Sequence, residues 1–189
     1  AIRDEAQRLA SRGAWGEVAA LLGVHRSDIR DVPESAVLLA EAFMYTGRAR
    51  EAREWLDAIL PLLEAGEDRR STRKATMLAG AAAFQLGAID DARRAFSEAL
   101  ERARLDADDA LMAKATNNLG SIANVEGKSM EALALYNLAV SVHQRMGNAR
   151  GLAQCYHNMA ISYRDVGRLP EADEFEQRSV EFARDAAQH

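Results

Sequence analysis

The stretch "KATNNLGSIANVEGKSMEALALYNLAVSV", residues 114–142, contains two apolar segments separated by a glycine and a short polar turn. On both sides of the turn, small and apolar side chains recur at steps of three and four residues, which is typical of one face of an α-helix. Gly127 lies between the two segments and can adopt the left-handed conformation that often ends a helix. The stretch therefore predicts an antiparallel hairpin of two helices.

The same pattern recurs along the chain at a constant interval of 40 residues. Glycines at positions 47, 87, 127 and 167 are each followed, four and five residues later, by an acidic residue and an alanine. A small residue lies seven positions before each of them, at Ala40, Gly80, Gly120 and Ala160. Self-similarity at such a period is the signature of a repeat array. One hairpin cannot bury its apolar face alone, so we expect the hairpins to stack and to share a core.

The fourth copy of the pattern has large, small and aromatic residues at fixed offsets: Leu119, Gly120, Gly127, Ala132, Tyr136 and Ala139. This arrangement resembles the tetratricopeptide repeat. The fifth copy keeps the turn glycine but has Glu176 and Ser179 at two apolar positions. The resemblance implies an all-α fold, an α-α superhelix of about five helix-turn-helix repeats in a single domain over residues 1–189. The expected repeats are approximately residues 1–30, 33–66, 71–106, 109–147 and 150–187.

The period of 40 residues exceeds the common tetratricopeptide period of about 34. This long form resembles the arrays of kinesin light chain and of large bacterial transcription regulators. We expect the additional residues to lengthen the helices by about one turn and to widen the loop between repeats. Ser71, Asp108 or Asp109, and Asn148 are expected to cap the helices that follow them, and Pro61 to kink or end the second helix of repeat 2.

The resemblance also implies which side chains face a ligand, because the first helix of each tetratricopeptide repeat lines the concave groove. In repeats 4 and 5 these positions are Lys114, Asn117, Asn118, Ser121, Asn124, Gln154, His157, Asn158 and Arg164. Asparagine has a low helix propensity, and its amide both donates and accepts hydrogen bonds, as contact with a peptide backbone requires. We therefore predict that Asn118 and Asn158, which are 40 residues apart, contact a partner. The alternatives are hydrogen bonds between repeats or a solvated polar face.

Several classes of function are not expected. The net charge of −5 and the lack of a basic stripe argue against contact with nucleic acid. The longest uncharged run, residues 75–89, is too short to cross a membrane, and no signal peptide opens the chain, so we predict a cytoplasmic protein. The single cysteine, Cys155, lies two positions from His157, so the two side chains point in different directions on a helix. We predict no metal, no cofactor and no enzymatic activity.

Two functions remain from the sequence. The first is a scaffold that binds a peptide or protein partner in the groove. The alternative is a sensory or regulatory segment of a larger bacterial regulator, since the Ala- and Arg-rich composition is typical of a GC-rich bacterial genome. Phe175, Val180 and Phe182 cannot all face the short core that remains at the C-terminal helix. We therefore predict that part of this helix contacts a second copy of the chain, as a homodimer, or a following segment.

Overall fold

The computed structural model describes residues 2–187, in which the chain forms eleven α-helices and no strand. The helices are α1 (Ile2–Ser11), α2 (Trp15–Gly23), α3 (Arg26–Ile29), α4 (Pro33–Tyr45), α5 (Ala49–Ala65), α6 (Arg69–Gln85), α7 (Ile89–Leu105), α8 (Asp109–Val125), α9 (Ser129–Arg145), α10 (Ala149–Asp165) and α11 (Leu169–Ala187). Apart from the short α3, they follow one another as five helix pairs. The all-α class and the helix-turn-helix repeats predicted from the sequence are confirmed.

The period of 40 residues has a simple origin in the helix lengths. Helices α5 to α10 have 17 residues each. The turns between them, such as residues 126–128 within repeat 4 and residues 146–148 after it, have three residues each. The prediction of lengthened helices is therefore confirmed. The prediction of a wider loop between repeats is wrong, because the additional residues are all helical.

The turn glycines end the first helix of each repeat. Gly127 has φ +76, and its N–H donates to the carbonyl of Asn124 at 2.9 Å. The N–H of Lys128 donates to the carbonyl of Ala123 at 2.9 Å. These two bonds form a Schellman motif, which satisfies carbonyls at the end of α8 and requires a positive φ at the glycine. The prediction of left-handed helix ends at these glycines is confirmed.

The helix caps follow the predicted residue types with one exception. The side chains of Asp108 and Asn148 accept hydrogen bonds from the first turns of α8 and α10. At α6 the cap is Asp68, whose carboxylate accepts from the N–H of Ser71 at 3.0 Å, so the assignment of Ser71 as the cap is wrong. Pro61 lies inside α5, which continues to Ala65.

The chain divides into two compact units, residues 1–95 and residues 96–189, with the division inside α7. In the first unit, α2, α4 and α5 surround a core that includes Phe43 and Trp55. The indole N–H of Trp55 donates to the carbonyl of Ala36 at 2.8 Å, which satisfies its polar atom inside the core. The assignment of residues 1–189 to a single domain stays a prediction, because no observation on these units tests it.

In the second unit, α8 to α11 pack around Tyr136, Cys155, Tyr156 and Met159. The rings of Phe175 and Phe182 pack on this core from α11, with centroids 5.8 and 5.6 Å from that of Tyr156. Val180 does not join them and is 44% exposed. Phe175 and Phe182 are therefore half-buried against their own chain, whereas Val180 is not.

Candidate binding face on α8 and α10

The nine residues predicted to face a ligand lie on α8 and α10, both within the second unit. We call this set the amide face. Its cationic and long polar members are exposed: Lys114, Gln154, His157 and Arg164. Its shorter members are half-buried: Asn118, Ser121, Asn124 and Asn158. Asn117 differs from the rest, because it is only 3% exposed and lies under the face rather than on it.

Three side-chain hydrogen bonds join α8 to α10 across the amide face. The amide Nδ2 of Asn158 donates to Oδ1 of Asn117 at 3.1 Å. The hydroxyl of Ser162 donates to Oδ1 of Asn124 at 2.6 Å, and Nδ2 of Asn124 donates to Asp165 at 3.0 Å. Asparagines with low helix propensity therefore serve as connections between neighbouring repeats. Ser162 was missed from the sequence, since a buried serine on a helix gives no signal of a partner 38 residues away.

Asn118, unlike the other asparagines of the amide face, makes no hydrogen bond between α8 and α10 within the described residues. Within residues 2–187, its side-chain amide has no hydrogen-bond partner, although the residue is half-buried. Lys114 lies one turn before it on the same helix and also lacks an ion-pair partner in the described part of the chain. An amide and an ammonium group one turn apart provide five N–H donors and one acceptor oxygen to a bound molecule.

The position of α10 is fixed from the other side by His143 on α9. The His143 ring is buried, and it lies so close to Gly151 that a Cβ there would overlap the ring. The Nδ1 atom of His143 is 3.2 Å from Nδ2 of Asn148, the capping residue of α10. Burial of the imidazole, and secondarily the charge of Lys114, lower the pKa of His143. The ring is therefore held in its neutral form beside the amide face.

The first unit has a cavity of its own. A cavity of about 630 Å³ is lined by residues of α1, α4 and α6 together with Trp15. In it, the ammonium of Lys74 forms an ion pair with Glu41 at 2.7 Å, and Arg3 forms one with Glu34. Lys74 is therefore engaged by a carboxylate of its own chain.

The described residues show no group of three or more His, Cys, Asp or Glu that could hold a metal ion. None of their helices has the length and apolar character needed to cross a membrane. Cys155 is buried and His157 is exposed, so they do not form a pair. Burial raises the pKa of the Cys155 thiol to about 12. A thiol of this kind is a packing residue rather than a nucleophile.

Known proteins resemble this chain in sequence over part of its length and in fold over nearly all of it. Residues 111–185 match the tetratricopeptide repeat family. No curated protein matches the chain. A crystal structure of MamA protein has a TM-score of 0.63 at 18% identity, and the match covers 100% of this chain and 93% of MamA. A putative kinesin light chain of Podospora anserina has a TM-score of 0.68 at 16% identity, with 96% and 93% covered.

A third structure, a Rap protein complexed with Competence and Sporulation Factor, has a TM-score of 0.84 at 14% identity. That match covers 97% of this chain and 53% of the Rap chain, so this chain spans about half of its length. Identities this low show the fold alone. The segment that matches the family, residues 111–185, contains α9, α10 and all of α8 except its first two residues. It therefore includes the whole amide face. Residues 111–185 thus match the tetratricopeptide repeat family, and the chain has the fold of a tetratricopeptide repeat array.

Proposed function

We propose that this chain is an interaction scaffold that binds a peptide or protein partner on the amide face. A tetratricopeptide repeat fold supports a role in protein interaction in general. The observation that carries the specific proposal is the half-buried amide of Asn118, which has no partner within the described residues. A partly buried amide gains most from a ligand that offers both a donor and an acceptor, and a peptide bond offers both.

The rest of the face supports this role by fixing the geometry. The bonds from Asn158 to Asn117 and from Ser162 to Asn124 hold α8 and α10 in one register. A preorganised face loses less conformational entropy when a partner binds than a flexible one does. Lys114 and Arg164 supply exposed cations at either side of the amides. We therefore expect the partner to present an extended backbone with an acidic side chain or a terminal carboxylate near it.

A peptide library with fixed acidic positions, measured by fluorescence anisotropy, tests this proposal. We expect Asn118→Ala to weaken the binding of a selected peptide by about tenfold, since one hydrogen bond to the backbone is lost. Asn137→Ala is the matched control, because Asn137 is exposed on α9 and its amide bonds to the carbonyl of Leu133. Equal binding by wild type and Asn118→Ala, or equal losses in both variants, would remove Asn118 from the site.

The second candidate is a sensory or regulatory segment of a larger bacterial regulator. The likeness to Rap supports it only indirectly: that protein was solved with a factor bound, and this chain matches about half of it. The two candidates share the amide face and differ in what the bound molecule controls. A flanking DNA-binding or ATPase domain in the full-length gene would favour the regulator. In either case we infer a cytoplasmic, non-enzymatic protein without direct contact to nucleic acid.

A further inference from the structure

The outward face of α11 is the position at which a tetratricopeptide array would receive its next helix. On α9, forty residues earlier, the equivalent face is covered by α10, and Val140 there is only 8% exposed. Val180 holds the same position on α11 and is 44% exposed. His143, which packs on Gly151 of α10, corresponds to the exposed Ala183. The backbone of α11 thus presents a stacking face that no described residue covers.

The charges on this face have an unusual arrangement. Asp173 and Arg184 are both exposed, and within the described part of the chain neither has an ion-pair partner. They are eleven residues apart, which is close to three full turns, so they lie on the same side of α11 about 16 Å from each other. Gln177 and Val180 lie between them at steps of four and three residues. The two charges are therefore in line but too far apart to pair with each other.

An antiparallel copy of α11 brings these charges together. A twofold axis midway between positions 173 and 184 places Asp173 of each chain opposite Arg184 of the other. The same axis passes between positions 178 and 179, so each Val180 lies within about one turn of it. Ala183 and Ala187, which are small, allow the two helix backbones to approach closely. The face is thus complementary to itself in charge, and the exposed side chain of Val180 lies near its centre.

We propose that the chain forms a homodimer through antiparallel packing of α11 on α11 of a second copy. The contact involves one helix from each chain, so its area is at the low end for protein interfaces and the dimer is weak. The two ion pairs are at the rim of this contact, where they determine register and choice of partner more than affinity. The amide face is not part of the contact, so the proposal is independent of the proposed function.

Sedimentation velocity of charge-reversal variants tests the proposal. Protein concentrations from about 1 to about 300 μM suit a weak dimer. We expect wild type to dimerise as its concentration rises. Asp173→Arg and Arg184→Asp should each weaken dimerisation by about tenfold or more, because each variant brings like charges together twice. The double variant should dimerise again. An equimolar mixture of the two single variants should form a heterodimer, since all its cross-contacts are attractive.

Circular dichroism melting of each variant verifies that it is folded, and both substituted side chains are exposed in any case. Ala134→Arg is a matched control for an added charge, because it changes an exposed side chain on α9 that belongs neither to α11 nor to the amide face. A wild type that stays monomeric over the whole range would overturn the proposal and leave the face to a different partner. Dimerisation that is equally strong in wild type and in both single variants would also overturn the proposal, since the dimer would then form through another surface.

Discussion

The amide of Asn158 donates a 3.1 Å hydrogen bond to the side chain of Asn117, which lies 41 residues earlier on the neighbouring repeat. Asn117 is 3% exposed, so this bond satisfies a polar group that water cannot reach. The two asparagines connect α8 to α10 directly. Their role in the structure is therefore distinct from that of Asn118, although the three residues look alike in the sequence.

Removing this bond should cost stability. We expect Asn158→Ala to lower the free energy of unfolding by about 1–3 kcal/mol, because Oδ1 of the buried Asn117 loses its donor. Asn118→Ala, which removes an amide without a partner, should change it by less than about 0.5 kcal/mol. Urea denaturation of both variants measures the difference. Equal effects would show that the Asn158–Asn117 bond does not hold the two repeats together.

Glycine is required at position 120 by the packing of a neighbouring side chain and not by the backbone conformation. A Cβ at this position would lie 2.6 Å from Cε1 of the buried Tyr136 ring. We expect Gly120→Ala to destabilise the chain by about 1–3 kcal/mol through overpacking, in spite of the higher helix propensity of alanine. Gly16→Ala is the control, since its Cβ would meet nothing within 4 Å, and it should stabilise α2. If both changes are stabilising, the contact with Tyr136 is looser than described.

Ala107, in the turn between α7 and α8, has φ +51. At the equivalent position one repeat later, Gly147 has φ +63. A side chain in the left-handed region costs about 1–2 kcal/mol, while glycine gains freedom in the unfolded chain. We expect Ala107→Gly to raise the thermal midpoint, with a net gain of up to about 1 kcal/mol. The reverse change, Gly147→Ala, should lower it. Calorimetry of the pair checks both signs, and a loss on Ala107→Gly would contradict the strain.

The stability of the second unit should depend on pH through His143. Burial lowers the pKa of His143 below its ordinary value of 6.5, so the unfolded state takes up a proton at a higher pH than the folded state does. Stability therefore falls as the pH decreases below about 6.5 and toward the lowered pKa, and His143 contributes no pH dependence well above this window. Urea midpoints at several pH values, compared between wild type and His143→Gln, measure this contribution. If the dependence of stability on pH persists in His143→Gln, the acid sensitivity arises from carboxylates instead.

Cys155 should be inert in the folded chain. Its thiol is buried, and its pKa of about 12 leaves almost no thiolate at neutral pH. We expect Ellman's reagent to react at least about 100-fold more slowly with the native chain than with the chain in denaturant, since the thiolate is the reacting species. Stopped-flow absorbance gives both rates. Rapid modification without denaturant would show that α10 opens locally.

The repeat architecture could be predicted from the sequence because its determinants are local. Gly127 and Tyr136 each hold their role through contacts within one hairpin, and the same residue types recur at a fixed interval. The turn between repeats was predicted less well. Aspartate and serine are both good caps, so nothing in the sequence distinguishes Asp68 from Ser71. The positive φ of Ala107 also lacks a signal, because alanine rarely adopts it.

The candidate site was predicted only in outline. The positions on α8 and α10 followed from the resemblance, but neighbouring helix residues differ in direction by about 100°. Asn117 and Asn118 therefore have different environments, one buried and one half-buried. The partner of Asn117 is 41 residues away, and only the packing of two repeats brings it near. Side-chain pairing over such a distance leaves no periodic pattern in a single sequence.

Both tryptophans of the chain, Trp15 and Trp55, lie in the first unit, and Trp15 stacks on Tyr45 with ring centroids 4.3 Å apart. Indole emission therefore reports on residues 1–95 alone, while far-ultraviolet circular dichroism reports on helices throughout the chain. The two spectroscopic signals follow different parts of one molecule. Recorded together during denaturation, they separate the melting of the first ninety-five residues from that of the whole, and no label has to be introduced.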